Sequence, residues 1–206
     1  MHRLLSKETT YKTLQSLSEG LYKEKGSKFI AYASPCSNEH EAKELLSEWK
    51  KNNHQARHLC YAYRFGVENY TIRANDDGEP SNSAGTSILG QIQSYELTNI
   101  LIGVIRYFGG TKLGVGGLVQ AYKTAAKEAI EAGEIITEQL KVRLELAFPY
   151  EKMPVLMQVI KTHKINILSQ QFDLHCYITI EFPLSEKTLI LSILNDIPLL
   201  EITVTP

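Results

Sequence analysis

Three short stretches bring together residue types that can do chemistry. The first is "RYFGGTKLGVGGLVQAY", residues 106–122, where Gly109, Gly110, Gly114, Gly116 and Gly117 crowd a loop between a β-forming and a helix-forming run. A helix N-terminus presents free backbone N–H groups and the positive end of the helix dipole, and both favour an anion. Arg106 and Lys112 add positive charge beside it. The loop fits neither standard phosphate-binding pattern. In GxxxxGK[ST], Gly109 and Gly114 have the right spacing but Val115 stands where lysine is needed, and in GxGxxG, Val119 replaces the third glycine. The competing reading is that the glycines supply positive φ and close packing only.

The second stretch is "ARHLCYAY", residues 56–63, which places Arg57 and His58 where a loop enters a strand. His54, His58 and Cys60 suggest a metal, but no fourth ligand is evident and no metal ligand is assigned. The third is "DDGEP", residues 76–80. Asp76, Asp77 and Glu79 are able to act as general acid or base or to hold a divalent cation, and equally able to form a turn that caps the next helix. Ser81, Ser83 and Ser87 lie nearby without a GxSxG elbow, so no catalytic residue is assigned. Glycine-rich and acidic turns at strand ends suit a site better than a core, so the three stretches are expected to converge on one surface.

The elements that must position these residues follow from periodicity. "SKFIAYASPC" reads as a strand, and residues 37–53 as a helix capped by Asn38 or Ser37 with Ala42, Leu45, Leu46 and Trp49 on one face. "RHLCYAYRFG" and "YTIRAND" alternate like a hairpin turning near Gly66–Asn69. "TSILGQIQSYEL" reads as a helix and "NILIGVIRYF" as a buried strand. A helix then opens near Gly117, with Leu118, Tyr122, Ala125 or Ala126 and Ala129 on its inner face and Gly133 as C-cap. From about residue 140 a new pattern begins: strand, helix, two strands, a helix capped by Ser185, and a last strand. That βαββαβ order is the ferredoxin-like arrangement.

Composition bounds the function. The 206 residues suffice for two small domains, and a boundary is expected between 1–138 and 139–206. With 22 Lys+Arg against 23 Asp+Glu, the net charge of −1 gives no support to a generic nucleic-acid binder. Three scattered cysteines, the lack of a signal-peptide pattern and the lack of a long apolar run point to a cytoplasmic protein without a membrane span.

Taken together, "KGSKFIAYAS", "ARHLCYAY", "DDGEPSNSAG" and "VIRYFGGTKLGVGGLVQAY", in this order, resemble the YigZ/IMPACT family over roughly residues 15–132. The C-terminal third is similar to the small second domain of its bacterial members, which is compared with the last domain of elongation factor G. The resemblance implies an α+β protein of two-layer α/β sandwiches, the N-terminal one akin to a ribosomal-protein or translation-factor domain. It implies a role in translation regulation through RNA, the ribosome or a translation-associated protein, with no cofactor and no established catalytic residue. Two departures from the family pattern stand out: Asn82 and Ser83 stand near a usual Gly-Thr pair, and Gln120 where a basic residue is common.

The expected binding surface comprises Arg57, His58, Asp76, Asp77, Glu79, Arg106, Gly109, Gly110, Lys112, Gly114, Gly116 and Gly117. Arg64 and Arg73 add local charge, and Tyr61, Tyr63 and Tyr107 are candidates for stacking on bases. The alternative is an enzyme or binder acting on a small phosphorylated or anionic ligand at the glycine loop.

Overall fold

The computed structural model describes residues 9–67, 69–173 and 175–205. It divides into two compact units, one of residues 11–138 and the other of residues 139 onward with Thr10.

In the first unit, the apolar run Ile100–Tyr107 forms β6, the central strand of a five-stranded antiparallel sheet. Its neighbours are β3 (Ser27–Pro35) and β4 (His58–Phe65), and the edges are β2 (Ser18–Glu24) and β5 (Thr71–Asn75), giving the order β2-β3-β6-β4-β5. Being covered on both faces, β6 shows no polar alternation until Arg106. The hairpin between β4 and β5 forms as expected, with Phe65 opposite Thr71.

The helices α2 (Gly85–Ser94) and α3 (Gly114–Ala132) cover one face of the sheet. Leu118, Tyr122, Ala125, Ala126 and Ala129 are all buried there, as the periodicity requires. Small residues bring α3 unusually close to β2: a Cβ on Gly20 would lie 2.4 Å from the Ala129 nitrogen. On the other face lies α1 (Glu39–Asn52), capped by Asn38, whose Oδ1 accepts from the Glu41 N–H at 3.0 Å. Its Trp49 stacks on Tyr32, with ring centroids 5.3 Å apart, and fills the space over Gly103 that a side chain would take.

Three strands were not legible in the sequence. β2 pairs with β3 through a two-residue turn in which Lys25 and Gly26 both have positive φ. Such turns usually announce themselves with Asn-Gly or Asp-Gly, and Lys-Gly is a weaker signal. β1 (Thr10–Leu14) and β7 (Ile135–Gln139) pair with each other in a separate two-stranded sheet and are short. The helix α3 starts at Gly114 rather than near Gly117, which puts Gly116 and Gly117 in its first turn. Burial of its apolar face outweighs the roughly 1 kcal/mol helix penalty of each glycine. Gly133 is the C-cap, in an extended rather than left-handed conformation.

The second unit contains β8 (Lys141–Pro149), α4 (Met153–Thr162), β9 (Asn166–Phe172), β10 (His175–Pro183), α5 (Lys187–Asn195) and β11 (Glu201–Thr205). Its antiparallel sheet has the order β11-β8-β10-β9, the ferredoxin-like topology. The strict alternation of β8 buries Val142, Leu144, Leu146 and Phe148 against Leu156 and Ile160 of α4 and Ile190 and Leu194 of α5. Ser185 does not cap α5. Pro183, with φ −59°, leads instead into a 3-10 turn over Leu184–Glu186, and the helix begins at Lys187 without a side-chain cap. Pro149 and the turn Tyr150–Lys152 introduce α4 in the same way.

Candidate functional site

The cross-strand register sets the site. His58 of β4 and Phe29 of β3 both lie opposite Arg106 of β6, at one end of the sheet on the face that α2 and α3 cover. The turn after β5 and the glycine loop after β6 close over that end. The result is a cleft of about 790 Å³. Six of the twelve expected residues line it: Arg57, His58, Glu79, Arg106, Lys112 and Gly114. The exposed Phe108 and Val115 stand on its rim, and Leu113, Leu118 and Pro80 form apolar wall.

The cations differ in kind. Arg106 is buried, and its Nη1 lies 2.7 Å from Glu79 Oε1, while Tyr122 donates its hydroxyl to the same oxygen at 2.9 Å. The guanidinium carbon also lies 5.6 and 5.5 Å from the ring centroids of Phe29 and Phe108. Its Nε is buried without a partner. Arg106 is therefore a neutralised, structural cation rather than a free surface charge. Arg57 and Lys112, in contrast, are exposed and enter no ion pair among the described residues.

The acidic turn is largely spent on its own structure. Burial by itself would raise the Asp76 pKa, but N–H donors from Gly85, Asn82 and Ala84 outweigh it and hold the carboxyl below its usual range. Its Oδ1 accepts from Ala84 and Gly85 at 3.0 and 2.8 Å, so Asp76 caps α2 from a distance. Asp77 Oδ2 accepts from the Leu59 N–H at 2.8 Å, and its carbonyl accepts from His58 Nδ1 at 2.7 Å. A carbonyl only accepts, so His58 carries its proton on Nδ1 when neutral, and Nε2 is the acceptor nitrogen. Ser83 is buried, donating its hydroxyl to the Pro80 carbonyl at 2.6 Å. Cys60 Sγ donates to the Asp76 carbonyl, and burial pushes its thiol up to about 12.

The loop glycines differ in what requires them. A Cβ on Gly109 would sit 1.8 Å from the Gly26 carbonyl carbon, so this residue serves a close backbone crossing. Gly110 and Gly114 have φ of +87° and +69°. At Gly116 a Cβ would meet nothing within 4 Å and φ is not positive, so neither packing nor conformation explains it. The N-cap of α3, Leu113, makes no side-chain capping bond.

Residues 25–130 match the Impact N-terminal domain family. The chain belongs to the IMPACT family. An IMPACT family member of Haemophilus influenzae is 31% identical over 170 residues, 80% of each chain. The IMPACT family member YvyE of Bacillus subtilis is 40% identical over 114 residues, 55% of this chain and 52% of the relative, so this alignment spans about half of that relative's length. The Escherichia coli member YigZ is 33% identical over 122 residues, 58% of each. A crystal structure of a hypothetical protein shares the fold, with a TM-score of 0.77 over 97% of this chain and 98% of that one at 21% identity.

The IMPACT-type N-terminal unit thus gathers some expected residues and disperses others. Tyr63 donates its hydroxyl to Glu39 Oε1 at 2.6 Å and stacks on Phe65, on the α1 side of the sheet, and Tyr61 packs with that cluster. They are committed to the face opposite α2 and α3. Tyr107 does reach the cleft, but donates its hydroxyl to Asn53. Arg64 lies over Tyr70 and donates to the Leu97 carbonyl, at the far end of β4. Tyr122 and Phe108 were not marked by sequence reasoning. Tyr122 reads as one more position of an apolar helix face, and only the tertiary contact with Glu79 reveals its hydroxyl.

Proposed function

We propose that this protein is a non-enzymatic regulator in translation whose N-terminal unit holds a phosphate of a structured RNA, free or within the ribosome, in the cleft beside α3. The observation that carries this reading is that Arg57 and Lys112, exposed and in no ion pair among the described residues, line a concave site next to the uncapped α3 N-terminus. Helix dipole and side-chain charges act in the same direction there. Family membership supports the translation setting, since the resemblance implies it.

The acidic turn favours binding over proton chemistry. The Asp76 and Asp77 carboxylates accept backbone N–H groups, and the Glu79 carboxylate is held by Arg106 and Tyr122. Among the described residues no helix is long and apolar enough to cross a membrane.

The test is titration of the wild type and of Lys112→Ala and Arg57→Ala against ribosomal RNA fragments at several salt concentrations. The expected slope of log affinity against log salt is shallow, about −1 to −3, because each neutralised phosphate contributes only about 0.7–0.9. Both variants should bind more weakly and with a smaller slope. Equal affinity of wild type and both variants would reject the site.

A further inference from the structure

Resting on that reading of the cleft as an anion site, we infer that its ligand is a nucleotide carrying a phosphomonoester, free or at an RNA end, with the base against Phe108 and Val115 and the phosphate at Lys112, Arg57 and the start of α3. An internal stretch of RNA backbone does not match the site as well.

The size of the cleft is the first reason. About 790 Å³ lies within the rough range of 300–1,000 Å³ typical of small-ligand sites. It has room for one nucleotide. Tracking a strand requires a line of cations along a groove, whereas here Arg57 and Lys112 line one concavity.

Charge is the second reason. The Arg106 cation is cancelled by Glu79 within hydrogen-bonding distance. That leaves Arg57, Lys112 and the helix end to face the ligand. A phosphomonoester carries about −1.5 to −2 at neutral pH and matches two cations plus a helix dipole. A backbone diester carries a single negative charge and leaves one cation unmatched.

The third reason is the apolar half. Phe108 is 57% exposed and Val115 is 55% exposed, and both line the cleft. An aromatic ring presented to solvent at the mouth of a cationic cleft offers a stacking platform that accepts any base. Inorganic phosphate alone would leave this surface uncovered. Gly116, next to the lining Val115, leaves the first turn of α3 open, since a Cβ there would meet nothing within 4 Å.

Binding of inorganic phosphate, adenosine and 5′-AMP to the full chain is measured by calorimetry, alongside an RNA hexamer bearing either a 5′-phosphate or a 5′-hydroxyl. The expected result is 5′-AMP at least about tenfold tighter than either phosphate or adenosine, as stacking of one base commonly contributes. Phe108→Ala should remove that gain over phosphate, and Lys112→Ala should weaken 5′-AMP and phosphate alike. Both side chains are exposed, so wild-type melting temperatures are expected for both variants. A gain for the 5′-phosphorylated hexamer over its hydroxyl counterpart makes an RNA end the source. Tight 5′-AMP binding without that gain makes the source a free nucleotide, and either supports the inference. Equal affinities for 5′-AMP and phosphate, or 5′-AMP binding untouched by Phe108→Ala, would overturn it while leaving the anion site standing. Absence of binding by phosphate, 5′-AMP and both hexamers would remove the anion site as well.

Discussion

Arg106 Nη1 lies 2.7 Å from Glu79 Oε1, with only 9% and 5% of the two side chains exposed. This pair ties the turn after β5 to the central strand β6. Removing one partner strands the other charge in a poorly solvated place, a loss of about 3–5 kcal/mol. Arg106→Ala and Glu79→Ala are each expected to lower the denaturation midpoint strongly. A double variant, Arg106→Met with Glu79→Leu, should recover much of the loss. If either single variant unfolds at the wild-type midpoint, the pair contributes nothing to stability.

Asp76 is expected to couple stability to acid pH. Its carboxyl is held below the usual range, so its contribution is fully present above the unfolded-state value and is lost as pH falls through the folded-state value. Asp76→Asn removes the charge in both states. Urea denaturation across the acidic range should show the wild type losing more stability than Asp76→Asn, and equal losses would exclude the coupling. At neutral pH, Asp76→Ala should cost about 1–2 kcal/mol, the scale of a lost helix cap.

Gly109 and Gly116 should respond oppositely to alanine. At Gly109 the new methyl collides with the Gly26–Ser27 backbone, and neither side is able to give way without moving a β-turn. Gly109→Ala is therefore expected to be destabilising, read as a clear fall in melting temperature. At Gly116 the methyl meets nothing, and replacing a helical glycine stabilises by about 0.5–1 kcal/mol. Gly116→Ala should melt at or above the wild-type temperature while binding phosphate or RNA more weakly. Unchanged binding would leave the open first turn without a role.

The cysteines should be silent until the protein opens. Burial pushes the Cys36 and Cys60 thiols up to about 12, and Cys176 is buried as well. Since the thiolate is the nucleophile, alkylation at neutral pH is expected to be slow in the folded state and fast in urea. Mass spectrometry of the labelled protein across a urea series checks this. Rapid native labelling of Cys60 would show that α2 and the "DDGEP" turn lift from β4.

The two units are expected to fold separately, since each has its own core cluster. Circular dichroism of a chain comprising residues 139–206 should show a cooperative melt. A flat, unfolded spectrum would reject independent folding.

What the sequence determined by itself is what local patterns specify. The helical period of Leu118, Tyr122, Ala125 and Ala129, the asparagine cap before α1, the apolar run of β6 and the βαββαβ order were all legible, because each depends on residues close in the chain. The four family stretches were legible too, and residues from three of them line the cleft at one end of the sheet. Tertiary structure decided which of those residues are free. Arg106 and Lys112 are both cations flanking one loop, yet strand register carries Arg106 inward onto Glu79, 27 positions away, and leaves Lys112 exposed. The capping of α2 by Asp76, eight and nine residues before Ala84 and Gly85, was one of the local readings, whereas the same long-range packing took Tyr61 and Tyr63 to the far face. It also let helix α3 begin on glycines, because burying one face of a helix outweighs the local reluctance of its first turn. Burial and pairing depend on partners distant in sequence, and for that reason the residue types showed where the site is but not which side chains it leaves open to a ligand.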